Sequence, residues 1–189
     1  MKVVRDKTEQ IMKAALSAFI EKGLQATTMD IAKEADVAEV TLYRKFSTKK
    51  NLFITVIKNV LEKKFASTVM EYAKEEDTEK FLAAIINNRL DVLSKHKDLI
   101  KMLISESLRG NLTDDINFPV IIFTSLQAGL DAHFEMMGRQ VDTEHLARAI
   151  SGMLLSYILF PHETAFHELS EAEKNRLAQK HAQSIVAMI

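Results

Sequence analysis

Residues 27–53 read TTMDIAKEADVAEVTLYRKFSTKKNLF. The stretch holds two helical patterns, each too short to stand alone, separated by a narrow break. Thr28 fits the N-cap of the first pattern, Met29 to about Ala35, and Asp30 sits in its first turn, where a carboxylate favours the helix dipole. Ile31 and Ala32 are its inward positions. Asp36 and Val37 form the break, and Asp36 is short enough to bond locally and tolerate a left-handed conformation. The second pattern runs from Ala38 to about Phe46 and carries Val40, Leu42, Tyr43 and Phe46. Ala38 has no side-chain oxygen with which to cap it, a loss of about 1 kcal/mol. Two short helices across a tight turn outline a helix-turn-helix, whose second helix is sized for a major groove.

The flanks extend the pattern. Ile11, Ala14, Ala15, Ala18 and Phe19 recur at i, i+3, i+4, i+7 and i+8, one apolar stripe on a helix from about Lys7 to Lys22. Gly23 follows directly, as a C-terminal cap. Ser47 and Thr48 begin a long amphipathic helix through Leu52, Val56 and Val60, continuing toward Lys74. Periodicity predicts further helices over 78–94, 97–108, 113–138, 142–160 and 170–189, the last entered through a capping box at Ser170 and Glu173.

Composition points the same way. Five glycines and two prolines in 189 residues are too few for a chain of strands and tight turns, which use both as punctuation. The expected class is all-α, with about nine helices. The absence of cysteine excludes a disulfide framework, thiolate catalysis and cysteine-held metal centres. No apolar run reaches the roughly 18 residues of a membrane helix, and the charged N-terminus lacks a signal-peptide core. A cytoplasmic protein without a membrane partner is expected.

The formal charge of −1 hides an asymmetry. Residues 1–50 carry ten basic and seven acidic side chains, and no acid occurs between Glu39 and Glu62, whereas Arg44, Lys45, Lys49, Lys50 and Lys58 do. A basic patch on a near-neutral chain is what phosphate contact needs, since each neutralised phosphate releases a counterion. An ordinary solvated face has the same composition.

Taken together, Ile11, Ala14-Ala15, Phe19, Gly23, Thr27-Thr28-Met29-Asp30-Ile31-Ala32, Ala35, Val37, Thr41-Leu42-Tyr43-Arg44-Lys45-Phe46, Lys49 and Leu52-Phe53 resemble the TetR family of transcriptional regulators. The resemblance covers roughly a quarter of the chain. It implies a three-helix DNA-binding domain over 1–47 and a larger helical effector-binding and dimerisation domain over 48–189. It implies double-stranded DNA as partner, at a pseudo-palindromic operator, and a repressor released by a small molecule. The DNA-contacting positions it marks are Thr27, Thr28, Ala38, Glu39, Val40, Thr41, Tyr43, Arg44, Lys45 and Lys49. Of these, Thr28 at a helix N-terminus offers a hydroxyl and a backbone N–H to phosphate, and Lys49 adds charge beside a helix dipole. Glu39 has the chemistry to accept from a cytosine amine and Arg44 to fork onto guanine, although either is equally placed for phosphate or water. Three positions depart from the family pattern: Asp36 stands for a glycine, Ala38 for a small polar residue and Val40 for another glycine. They bear on the operator sequence more than on the fold.

In the second part, Ala149, Gly152 and Ser156 form a strip of small residues, and Leu177, Ala178, His181, Ile185 and Met188 form a stripe on the final helix. Both fit either a homodimer face made by the last two helices or packing within the chain, and the dimer is the expectation. Arg89 interrupts an apolar stripe, as a counter-ion for an acidic effector or as a member of an internal ion pair. Met102, Phe123, Gln127, His133, Phe134 and Met137 are candidate cavity residues, because methionine and aromatics adapt to varied apolar ligands.

Other classes fit less well. His162, Glu163 and His167 resemble a zinc-protease motif, but the imidazoles stand five apart rather than four, off a common helix face. There is no phosphate-cradling glycine loop and no nucleophile elbow. No catalytic residue, metal or cofactor is therefore expected. A helical adaptor without DNA leaves the basic helix pair unexplained.

Overall fold

The computed structural model describes residues 7–59, 65–110, 118–160 and 163–189, with the side chains of 118 and 119 excepted. Ten α-helices and no strand occur among the described residues. They are α1 (Thr8–Lys22), α2 (Thr28–Glu34), α3 (Glu39–Phe46), α4 (Lys49–Lys58), α5 (Ala66–Tyr72), α6 (Thr78–Lys95), α7 (Lys97–Leu108), α8 (Phe118–Met136), α9 (Thr143–Leu159) and α10 (Glu171–Val186). The predicted long fourth helix corresponds to α4 and α5; residues 60–64 between them, Val60 included, lie outside the described set, as do residues 111–117, Pro161 and His162. No described helix is long and apolar enough to cross a membrane.

The chain divides into two compact units, Met1–Val60 and Leu61–Ile189. Packing places α4 with the first of these units, whereas the sequence reading divides the chain at 47/48. Leu52, Phe53, Val56 and Ile57 of α4 are all buried, and the Phe53 ring meets Phe19 of α1 edge-to-face at 4.9 Å. Without α4, the apolar stripe of α1 would lose that cover. The first unit's core is completed by Ile11, Ala15 and Ala18 of α1, Ile31 and Ala32 of α2, and Leu42 and Phe46 of α3.

In the second unit, α6 packs against α10, α8 against α5 and α9, and α7 against α8 and α9. Phe81, Leu82, Ile85 and Ile86 of α6, Leu126 and Leu130 of α8, Leu146, Ile150 and Leu154 of α9, and Ala178, Ala182 and Ile185 of α10 form its core. Much of the apolar stripe on the final helix is thus spent inside the chain. Ser170 caps α10 in a reciprocal capping box with Glu173, as its spacing predicts. Helices α5 and α8 approach so closely at Gly129 that a Cβ there would lie 2.0 Å from Val69 Cγ1.

Candidate nucleic-acid interface and cavity

Helix α2 begins one residue earlier than the sequence suggests. Thr27, not Thr28, is the N-cap: its Oγ1 accepts from the Asp30 N–H at 3.1 Å, and the Thr27 N–H donates to Asp30 Oδ2 at 3.3 Å. The reason is that the aspartate falls three residues after Thr27, the spacing that closes a capping box. The Thr27 hydroxyl, then its backbone N–H and Lys22, hold the Asp30 carboxyl below the usual carboxylate range.

Helix α2 ends in a Schellman turn. Asp36 adopts φ 46°, its N–H donates to Lys33 O, and the Val37 N–H reaches back to Ala32 O. This left-handed residue sets the angle between α2 and α3, and the Gln10 amide bonds the neighbouring Ala35 carbonyl at 2.8 Å. Ala38 precedes α3 in extended conformation with no side-chain cap, as its chemistry requires.

Freed of Leu42 and Phe46, which face the core, α3 presents Val40, Tyr43 and Arg44 to solvent. Val40 is 71% exposed and Tyr43 48%, and their i, i+3, i+4 spacing makes one stripe. Ala38 and Lys45 are exposed, and Glu39 and Thr41 half-exposed, beside it. Arg44 and Tyr43 thereby supply a guanidinium fork and a hydroxyl, and Val40 an apolar contact, on a surface one helix wide.

Three contacts were not legible in the sequence. The Thr28 hydroxyl donates to Glu39 Oε1 at 2.6 Å and lies 3.2 Å from the Tyr43 hydroxyl. Glu39 therefore ties the start of α3 to the start of α2. Lys49, read as a charge beside a helix dipole, turns its ammonium to the Leu24 and Ala26 carbonyls at 2.8 and 3.2 Å. It fastens the segment leading into α2, while Thr48 caps α4 by accepting from the Asn51 N–H. Lys45 reaches Thr8 Oγ1 at 2.8 Å. Lysines four carbons long choose their partner through the tertiary fold, so spacing alone does not find these contacts.

The second unit contains a cavity of about 730 Å³ among the end of α6, α7, α8 and α9, within the range of small-ligand sites. Its walls include Leu93, Ile100, Ile104, Leu108, Phe123, Leu155 and Leu159, and among its described lining residues only Arg148 and Ser151 have polar side chains. Of the six cavity residues read from the sequence, the described lining contains Phe123 alone.

The others, Met137 included, lie outside that lining. His133 is fully buried. Its Nδ1 lies 3.3 Å from the Ala73 carbonyl, which only accepts, so Nδ1 carries the proton, and Nε2 accepts from the Thr78 hydroxyl at 3.0 Å. Its ring stacks on Phe81 at 4.2 Å and meets Phe134, itself a core residue, edge-on. Burial holds the His133 pKa below the usual histidine value. The Arg89 guanidinium lies 4.5 Å above the Phe65 ring and donates to the Asn88 side chain. Burial lowers its pKa to about 10, and no ion pair of Arg89 occurs among the described residues. Met102 and Gln127 are half-buried outside the described lining. His167 bonds Ser94 Oγ through Nδ1 at 3.1 Å, and no described cluster of three metal-ligating side chains exists.

Comparison with known proteins follows the same division. The pattern of the family described as "Bacterial regulatory proteins, tetR family" matches residues 11–56, spanning α1 to α4. The chain is similar to an uncharacterised HTH-type transcriptional regulator, YvdT, of Bacillus subtilis, 32% identical over 100 residues, 52% of each chain. It is similar to the fatty acid metabolism regulator protein of the same organism, 30% identical over 149 residues, 69% of this chain and 76% of that one. The matching stretch thus spans about half the length of the first relative and three quarters of the second. In fold it resembles a TetR-family regulator structure from Mesorhizobium loti, with a TM-score of 0.73 at 20% identity, covering 100% of this chain and 98% of the other.

Proposed function

The chain belongs to the TetR family of bacterial regulatory proteins, and from that membership we propose that it is a sequence-specific DNA-binding transcriptional regulator, a homodimeric repressor that a small-molecule effector releases. The observation that carries the reading is the exposed stripe of α3: Val40, Tyr43 and Arg44 face outward on a helix whose entry angle is set by the Asp36 turn. Phosphate contacts come from the start of α2 and the adjoining cations, and base contacts from the α3 stripe. Thr27, Thr28, Ala38, Glu39, Thr41, Lys45 and Lys49 stay in the proposed interface; Lys49 and Thr27 serve it by holding the backbone that approaches DNA. The chain's relatives named above are regulators, and no catalytic role is proposed.

A single copy covers one half-site. Dimerisation through α9 and α10 is supported by the strip Ala149, Gly152 and Ser156 on α9 and by Phe160 and Met188, which remain exposed. An effector that binds one spacing of the two α3 helices better than another lowers operator affinity by that difference.

The test is an unbiased selection of bound duplexes with the purified protein, followed by titration across salt concentrations. Half-sites one helical turn or a multiple apart are expected, with affinity falling steeply with salt. Salt-independent or absent duplex binding refutes the regulator and favours a protein-interaction adaptor. Sedimentation is expected to give twice the mass of the 21.4 kDa chain.

A further inference from the structure

The cavity of the second unit is almost wholly hydrocarbon-walled, yet its two polar side chains stand together. Arg148 and Ser151 are three residues apart on α9 and both line it, so they lie one above the other on a single face. The Ser151 Oγ is buried and has no hydrogen-bond partner among the described residues. Serine in a helix ordinarily satisfies its hydroxyl on the preceding turn, and an unpaired buried hydroxyl is costly. The Arg148 guanidinium lies 5.1 Å above the Phe123 ring. It gives Nε and Nη2 to a single oxygen of Glu144 at 3.2 and 2.8 Å, which uses two of its five N–H groups. Both partners of that pair are exposed, so it exchanges readily. From these two donors the wall continues along α9 as Leu155, Ile158 and Leu159, without another polar side chain.

Resting on the effector reading above, we propose that this cavity binds a single alkyl chain ending in a carboxylate or its thioester, with Arg148 and Ser151 donating to the head oxygens and the chain lying along Leu155 and Leu159. A head that only accepts hydrogen bonds matches a site whose polar groups both donate. A flexible hydrocarbon chain matches walls of leucine and isoleucine. A compact polar effector would leave most of this wall against unsatisfied polar surface. Gly152 lines the cavity as well as belonging to the α9 strip assigned to the dimer, so sedimentation of each variant separates a ligand from a second copy.

The experiment titrates the full-length protein with dodecanoate, dodecanoyl-CoA and dodecan-1-ol by calorimetry. Dodecanoate or its CoA thioester is expected to bind, and which binds tighter identifies the source of the head. Arg148→Gln lowers that affinity about tenfold and changes dodecan-1-ol binding less than twofold. Ser151→Ala weakens carboxylate and alcohol alike, about threefold. Leu155→Trp, at a position 40% exposed and thus tolerant of bulk, abolishes binding of all three. Wild-type affinity in both Arg148→Gln and Ser151→Ala overturns the proposal, as does failure of every probe to bind. A Leu155→Trp effect confined to the sedimenting mass overturns it in favour of a second copy. Each variant is also titrated with the selected duplex. Duplex binding without alkyl binding removes this inference alone, and alkyl binding without duplex binding removes the regulator reading alone.

Discussion

Gly129 offers a calculation that the structure makes sharp. A methyl group placed there lies 2.0 Å from Val69 Cγ1, against an optimal carbon–carbon separation of about 3.5–4.0 Å. Val69 does not swing aside cheaply, because a β-branched side chain in a helix has one strongly preferred rotamer, and it is buried. Overpacking of this kind costs about 1–3 kcal/mol, and an overlap this deep belongs at the upper end. Replacing a mid-helix glycine by alanine returns about 1 kcal/mol of propensity. Gly129→Ala therefore costs about 2 kcal/mol net, a fall of about 4–8 °C in melting temperature for a chain of this size.

Val69→Ala alone costs about 2 kcal/mol through lost burial and the space left behind. In the double variant the two Cβ atoms stand 3.4 Å apart, a snug contact that removes the clash and fills part of the void. The pair then costs about 1 kcal/mol, well under the sum of the singles, with a coupling near the top of the usual range of about 0.5–3 kcal/mol. Thermal and urea unfolding followed by circular dichroism give all four corners of the cycle. Additive singles, or a Gly129→Ala protein as stable as wild type, would show that α5 and α8 do not meet as described.

Three further outcomes are expected. Thr27→Ala removes the cap of α2 at a cost of about 1 kcal/mol and lets the Asp30 carboxyl rise toward its usual value, read by NMR titration, whereas Thr27→Ser preserves both; an unmoved Asp30 in the alanine variant contradicts the capping box. Acidification destabilises the second unit: burial holds His96, His133 and His181 below the usual histidine value, so the unfolded chain binds protons first, and the stability present above about pH 6.5 is lost as pH falls through the window down to the folded values. Urea midpoints at pH 7.5 and 5.5 measure this, and equal midpoints contradict it. Glu39→Gln keeps an acceptor for the Thr28 hydroxyl but removes the negative charge from the basic surface, so affinity for arbitrary duplex at low salt rises about threefold or more; unchanged affinity places that carboxylate away from phosphate.

The limits of sequence reading follow the range of the forces involved. Helices 97–108 and 170–189, the Ser170 box and the left-handed Asp36 were legible because periodicity, capping and turn chemistry act within about four residues. Even there sequence alone favours Thr28 as the cap, since two threonines in succession differ only by the register of one aspartate. Arg89 interrupts an apolar stripe in the sequence, but nothing along the chain shows that its guanidinium meets the Phe65 ring or that His133 reaches Ala73 and Thr78. Arg148 gives no such signal, since its neighbours one turn away are Glu144, His145, Ser151 and Gly152, and only the cavity singles it out.

By itself, then, the amino-acid order determined most of the helices and the Asp36 turn, for these depend on neighbours along the chain. Only the tertiary structure decided that α4 belongs with the first three helices, that Lys49 fastens carbonyls near Leu24, and that His133 is sealed in the core while Arg148 and Ser151 share a cavity wall. Those assignments depend on which helix faces meet. Long side chains and buried polar groups find partners tens of residues away, where local pattern holds no record of them.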